Sequence, residues 1–178
     1  MEGSGGTPVP RDGVGPRLRT DIVDVYVFRV RATEVEFLQL LRREAPMAQT
    51  WHPVMGHVEA GERATQTAVR ELVEEIGLDV TGPQCLGLWQ LNQVHPFYIA
   101  ATDEILLSPR FAARVVPEFE PRLCEEHERR RWVPAREVEG CFMWPGQRAA
   151  IAEVLREIVE ERSLAREFLR VKVEGLKK

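Results

Sequence analysis

Cysteine is scarce in this chain and never clustered. Cys85, Cys124 and Cys141 stand far apart with no Cys-x-x-Cys among them, a pattern that builds neither a disulfide framework nor a zinc ribbon. Long apolar runs are missing as well. No stretch approaches the roughly 18 residues a membrane helix needs, and no apolar signal-peptide segment follows Met1. Nor is there a basic excess: 28 acidic against 24 basic residues leave a formal charge of −4, the wrong sign for a general nucleic-acid binder. The Gly-x(4)-Gly-Lys-Ser/Thr loop of ordinary NTPases is absent. His57-x-Glu59 hints at a zinc deaminase but lacks the required Pro-Cys-x-x-Cys. These absences lead to the expectation of a cytoplasmic protein that uses neither a membrane nor a stable nucleic-acid partner.

What is present reads as one soluble globular domain. The 178 residues are 44% hydrophobic and 29% charged, enough to bury a core and cover it. Residues 1–19 are rich in Gly and Pro without an apolar pattern and are expected to form a mobile tail. Residues 20–162 form the expected domain, and 163–178 a helical extension.

Within the domain, β-branched residues from Ile22 to Val30 predict a strand, Val35 to Leu41 a second, and Arg31–Glu34 the hairpin between them. Trp51–Met55 is a short strand candidate. Ala64, Ala68, Leu72 and Ile76 recur at helical spacing and Gly77 supplies a stop, which predicts a helix over 64–76. Further strands are expected at 84–91, 97–101, 104–107 and 130–133, with a short helix near 135–138. An amphipathic helix over 149–162 and a helical stretch over 164–173 follow. Strands with few helices between them indicate a mixed α/β or α+β domain.

The acidic residues of the first helix are spaced for chemistry. Glu71, Glu74 and Glu75 stand at i, i+3 and i+4, so their carboxylates share one side of the helix. Taken alone, such a run only solvates an exposed face. Like charges at that spacing weaken a helix by roughly 0.2–0.5 kcal/mol per pair, and a hard divalent cation with oxygen ligands, Mg2+ or Mn2+, is their natural compensator.

The surrounding stretch decides between these readings. Residues 56–78, GHVEAGERATQTAVRELVEEIGL, resemble the Nudix box, G-x(5)-E-x(7)-R-E-U-x-E-E-x-G-U with U aliphatic. Gly56, Glu62, Arg70, Glu71, Leu72, Glu74, Glu75, Gly77 and Leu78 fill every fixed position. The resemblance implies a mixed β-sheet packed between helices, an α/β/α sandwich, and a metal-dependent hydrolase that cleaves pyrophosphate linkages. It also implies that Glu62 and Arg70 brace loop against helix, with Gly56 and Gly77 shaping the box. Arg63 stands where many family members carry a small capping residue, so the helix cap is expected elsewhere, at Thr65 with a later start.

Beyond the box, Glu126-His127-x(4)-Trp132 and Trp144-x(3)-Arg148-x-Ala150-Ile151 are similar to segments of the bacterial dATP and dihydroneopterin triphosphate pyrophosphohydrolases of that family. The second departs from the group's pattern, with Gly146-Gln147 in place of the usual Asn neighbourhood. The resemblance implies that Glu126 supplies a distal carboxylate, with Glu125 and Glu128 as rivals. His127 reads as structural. The implied assignment has Glu71, Glu74, Glu75 and Glu126 as metal ligands, with Glu74 or Glu126 acting on the attacking water. Arg42, Trp51, Asn92, His95 and Tyr98 are candidates for holding the nucleotide.

The implied reaction converts a nucleoside triphosphate to monophosphate and pyrophosphate. A dinucleoside polyphosphate or nucleotide-sugar hydrolase is the alternative, and a catalytically silent nucleotide-binding module a further one. Leu164, Phe168, Leu169 and Val171 are available for packing on the chain's own domain or on a second copy in a homodimer.

Overall fold

In the computed structural model, residues 15–45, 47–160 and 162–173 are described. Most of the expected tail and the last five residues lie outside them. The chain forms β1 (Arg17–Arg19), β2 (Ile22–Arg31), β3 (Glu34–Arg42), β4 (Trp51–His52), β5 (Val54–His57), α1 (Ala64–Ile76) and β6 (Cys85–Gln90). Then follow β7 (Phe97–Ile99), β8 (Glu104–Leu106), β9 (Arg110–Val115), β10 (His127–Pro134), α2 (Val138–Cys141), α3 (Pro145–Val154) and α4 (Arg166–Leu169). No helix among the described residues is long and apolar enough to cross a membrane.

A seven-stranded mixed sheet runs β10-β3-β2-β9-β6, with β4 joining β3 and β5 joining β2. Its centre is β2, where Val23 to Arg29 are all buried, as expected for a strand covered on both faces. Alternation divides this run between two cores. Val23, Val25 and Val27 pack with Leu72 and Ile76 of α1, whereas Tyr26 and Phe28 pack with Ile151 and Val154 of α3. Helices therefore cover both faces, giving the α+β sandwich that the box implied.

Several boundaries differ from expectation. Arg17–Arg19, assigned to the tail, form an edge strand paired parallel with β8, because Arg17 and Arg19 reach the Glu104 carboxylate, a partner far along the chain. The strand expected over Trp51–Met55 breaks at Pro53 into β4 and β5, since proline cannot donate to the ladder. The hairpin turns through Ala32 at φ 55°. Strand β9 was not expected at all, yet it lies between β2 and β6.

The last helix starts earlier, at Pro145, with the Gln147 side chain accepting the Trp144 N–H at 3.3 Å. It relaxes into a π-helical segment over Leu155–Val159 and stops where Glu160 turns extended. The stretch expected to be helical over 164–173 is helical only in α4. Beyond it, Val171 N–H bonds to Leu88 O at 2.8 Å, and the chain runs beside the edge strand β6.

Candidate metal and phosphate cleft

Helix α1 begins at Ala64 without help from Thr65. The extended residue Arg63 precedes it, and the Gln66 side-chain oxygen accepts the Arg63 N–H at 3.0 Å. At its other end Gly77 takes φ 69° and its N–H caps the helix, accepted by Val73 O at 3.0 Å while Leu78 N–H reaches Leu72 O. That left-handed position suits glycine. Both ends are thus anchored, and the acidic side of the helix has a defined place.

Arg70 organises that side. Its Nε and Nη2 donate to the two Glu62 carboxylate oxygens at 3.2 and 3.1 Å, and Nη2 also reaches His57 O at 2.8 Å. Nη1 donates to Glu71 at 2.6 Å and to Glu74 at 3.0 Å. Glu62 further accepts from the Thr67 hydroxyl at 2.8 Å. The guanidinium of Arg70, before any other contact, pulls the Glu62 carboxyl down to about 2. One arginine thereby ties the loop after β5 to the face of α1.

Glu71 and Glu75 are buried, at 8% and 4% exposure, while Glu74 stays in solvent. Burial raises the Glu71 carboxyl against the pull of Arg70. Glu75 has no such arginine on its own helix. Burial first, then the charges of Glu71 and Glu126, push it up to about 9, with the Met55 backbone and Arg42 only partly offsetting them. Gly56 explains how Glu71 fits: a Cβ at that position would overlap the Glu71 carboxylate.

Across from α1 stands Glu126, exposed on the turn before β10, with Arg42 Nη2 of β3 at 3.5 Å. Arg42, Met55, Gly56, His57, Glu59, Arg70, Glu71, Glu74, Glu75, Glu126 and Ile22 line one cleft of about 330 Å³. Among the described residues no three His, Cys, Asp or Glu groups already converge as an ion cage, since Arg70 draws Glu71 and Glu74 to itself. The donor set nevertheless fits a hard divalent ion. All its donors are carboxylate oxygens, and Glu75 Oε2 is buried with no hydrogen-bond partner, the kind of group that calls for one.

The remaining sequence candidates do not line this cleft. Trp51 is covered by the Arg131 guanidinium at 4.3 Å, which Gln39 holds at 2.7 and 2.9 Å. Asn92 gives its backbone N–H to Glu153 at 2.6 Å, and His95 abuts Gly146 at the start of α3. Tyr98 lies on the small β1-β8-β7 sheet with its hydroxyl on Asp103 at 2.9 Å. Of the rivals to Glu126, Glu128 accepts from Gln49 at 3.0 Å outside the cleft, and Glu125 is exposed beside it. Sequence reasoning weighed His57 only as a deaminase hint and did not single out Met55, both of which enter through backbone groups, nor Thr67, which supports Glu62.

A family model for the NUDIX domain matches residues 19–161. The chain is 35% identical over 120 residues to an octanoyltransferase of Myxococcus xanthus, a match covering 66% of this chain and 31% of that protein. The chain thus spans under a third of that relative's length. It is 30% identical over 130 residues to the asymmetrical bis(5'-nucleosyl)-tetraphosphatase of Sus scrofa, covering 70% of this chain and 82% of the relative. Among solved structures, the dihydroneopterin triphosphate pyrophosphohydrolase of E. coli superposes with a TM-score of 0.64 at 25% identity, over 82% of this chain and 99% of that one. An Ap4A hydrolase of C. elegans gives 0.64 at 19% identity, over 78% and 96%, a likeness of fold.

Proposed function

The chain belongs to the NUDIX family, and from that premise we propose that it hydrolyses a phosphoanhydride bond of a nucleoside triphosphate to the monophosphate and pyrophosphate. The observation that carries this reading is the buried pair Glu71 and Glu75 on α1, facing Glu126 across one cleft. Glu71, Glu75 and Glu126 are the residues that would hold Mg2+ or Mn2+. Such an ion, when bound, neutralises phosphate charge and acidifies water near neutral pH.

The chain's own groups do the rest. Glu74 or Glu126 orients the attacking water and takes its proton as the new P–O bond forms. The anhydride P–O bond to the departing group breaks, and pyrophosphate or the nucleoside monophosphate leaves with the electron pair of that bond. Arg42 offers a positive charge at the mouth of the cleft. Arg70 fixes the carboxylates in register, so that little reorganisation is left for the reaction itself.

The alternative is a dinucleoside polyphosphate, supported by the 30% identity to the tetraphosphatase over most of its length. The test is a product assay with Mg2+ and with Mn2+. It spans nucleoside triphosphates, dinucleoside polyphosphates, nucleotide sugars and dihydroneopterin triphosphate. Pyrophosphate released from triphosphates supports the first reading, and turnover confined to dinucleoside polyphosphates replaces it with the second. Binding without turnover of any of them makes the domain a nucleotide-sensing module.

A further inference from the structure

Glu126 is exposed, and the only charged side chain paired with it among the described residues is Arg42 at 3.5 Å. Its placement must therefore come from the backbone that carries it. That backbone is a turn from Cys124 to His127, closed by His127 N–H to Cys124 O at 3.3 Å, with Glu125 and Glu126 at its two central positions. Beneath the turn the side chains of its two ends meet, Cys124 Sγ lying 3.4 Å from His127 Nδ1. At that distance thiol and imidazole share a hydrogen bond, and the tautomer of the ring sets which of the two donates.

The clasp continues across β3. His127 is 2% exposed and His52 1%, and their rings sit 5.4 Å apart at 60°. His127 pairs with Arg42 and His52 with Leu40, two positions apart and so on one face of β3. His52 is itself oriented by donating from Nδ1 to Pro53 O at 2.9 Å. Both Nε2 atoms are buried with no partner, a cost that an apolar pair of the same size would avoid. Two backbone bonds tie the turn to both sides of the cleft, Cys124 N–H to Glu75 O at 3.3 Å and Arg43 N–H to Glu126 O at 2.9 Å.

We propose that Cys124, His127 and His52 form a positioning clasp that sets the Glu126 carboxylate opposite Glu71 and Glu75. The proposal rests on reading Glu126 as the distal metal carboxylate. It assigns these three side chains no contact with substrate; they act through Glu126.

The experiment measures Mn2+ binding by the electron paramagnetic resonance signal of the free ion, on the full chain without nucleotide. Glu126→Gln, His127→Ala, Cys124→Ala, Cys124→Ser and the double variant Glu126→Gln/His127→Ala are compared with the parent. The clasp predicts about tenfold weaker binding for His127→Ala and Cys124→Ala. Cys124→Ser recovers affinity because its hydroxyl, donor or acceptor, still hydrogen-bonds Nδ1. His127→Ala adds no further loss when Glu126 is already Gln.

Unchanged affinity in His127→Ala and Cys124→Ala overturns the clasp, as does an equal loss from His127→Ala in the Glu126→Gln background. Should His127→Ala fail to fold, the Cys124 pair decides alone, with Cys124→Ala weak and Cys124→Ser restored as the supporting result. Parent-like affinity in Glu126→Gln overturns the distal-carboxylate reading itself. That outcome is seen without touching the clasp.

Discussion

Glu75, a proposed metal ligand, bears a cost in stability where it stands. It is 4% exposed, faces Glu71 and Glu126, and its carboxyl is pushed up to about 9. Between pH 4.5 and 9 the folded chain holds a proton that the unfolded chain has released, so metal-free stability is fullest below 4.5 and is lost as pH rises toward 9. In EDTA, Glu75→Gln should therefore melt above the parent by a margin that grows from pH 5 to 9. Each kcal/mol gained adds roughly 2–4 °C. A variant less stable than the parent at every pH would contradict this.

Glu62 behaves in the opposite sense. Its carboxyl, held at about 2 by Arg70, contributes stability that is present above pH 4.5 and lost as pH falls toward 2. Glu62→Gln should lower the melting temperature at pH 7, and its deficit should shrink in acid. A deficit independent of pH would mean that the Arg70 pairing is not its source.

At the scale of elements, the meeting of β5 with α1 defines the cleft. Gly56 is the point of closest approach, and Gly56→Ala must displace the Glu71 carboxylate. That change should cut turnover at least about tenfold, with a loss of about 1–3 kcal/mol in stability from overpacking. Kinetics and denaturant titration on the same sample check both.

Helix α1 was legible in its span and its glycine stop, because period and acidic spacing are local signals, but not in its cap, where Gln66 serves in place of the expected Thr65. β9 was not. Its short Arg-Phe-Ala-Ala-Arg-Val run takes its burial from β2 and β6 on either side, and that tertiary context leaves little trace in propensity. The same reason hid β1, whose partner Glu104 lies far along the chain. Asn92, His95 and Tyr98 suggested a substrate loop by chemistry alone. The fold instead directs Asn92 and His95 to α3 and puts Tyr98 on a separate sheet.

Over the whole molecule, two cores share one sheet, and the C-terminal segment closes its exposed edge. Leu169 is buried in the α3-side core, Val171 and Val173 pack on the α1 side, and Arg170 pairs with Trp89 beside β6. Removing residues 164–178 should lower the melting temperature by about 5 °C or more and open β6 to aggregation. Turnover at 20 °C should survive, since none of the described residues among them lines the cleft. An unchanged melting temperature would show that the strap contributes no packing.

The proposed pyrophosphohydrolase site rests on one buried carboxylate of α1, that of Glu75. Its most direct test is steady-state pyrophosphate release from nucleoside triphosphates with saturating Mg2+, comparing the parent with Glu75→Gln. Circular dichroism is recorded on both. The parent should turn over, and the folded variant should lose that activity by about a thousandfold or more. Near-parental turnover in a folded Glu75→Gln chain would contradict it.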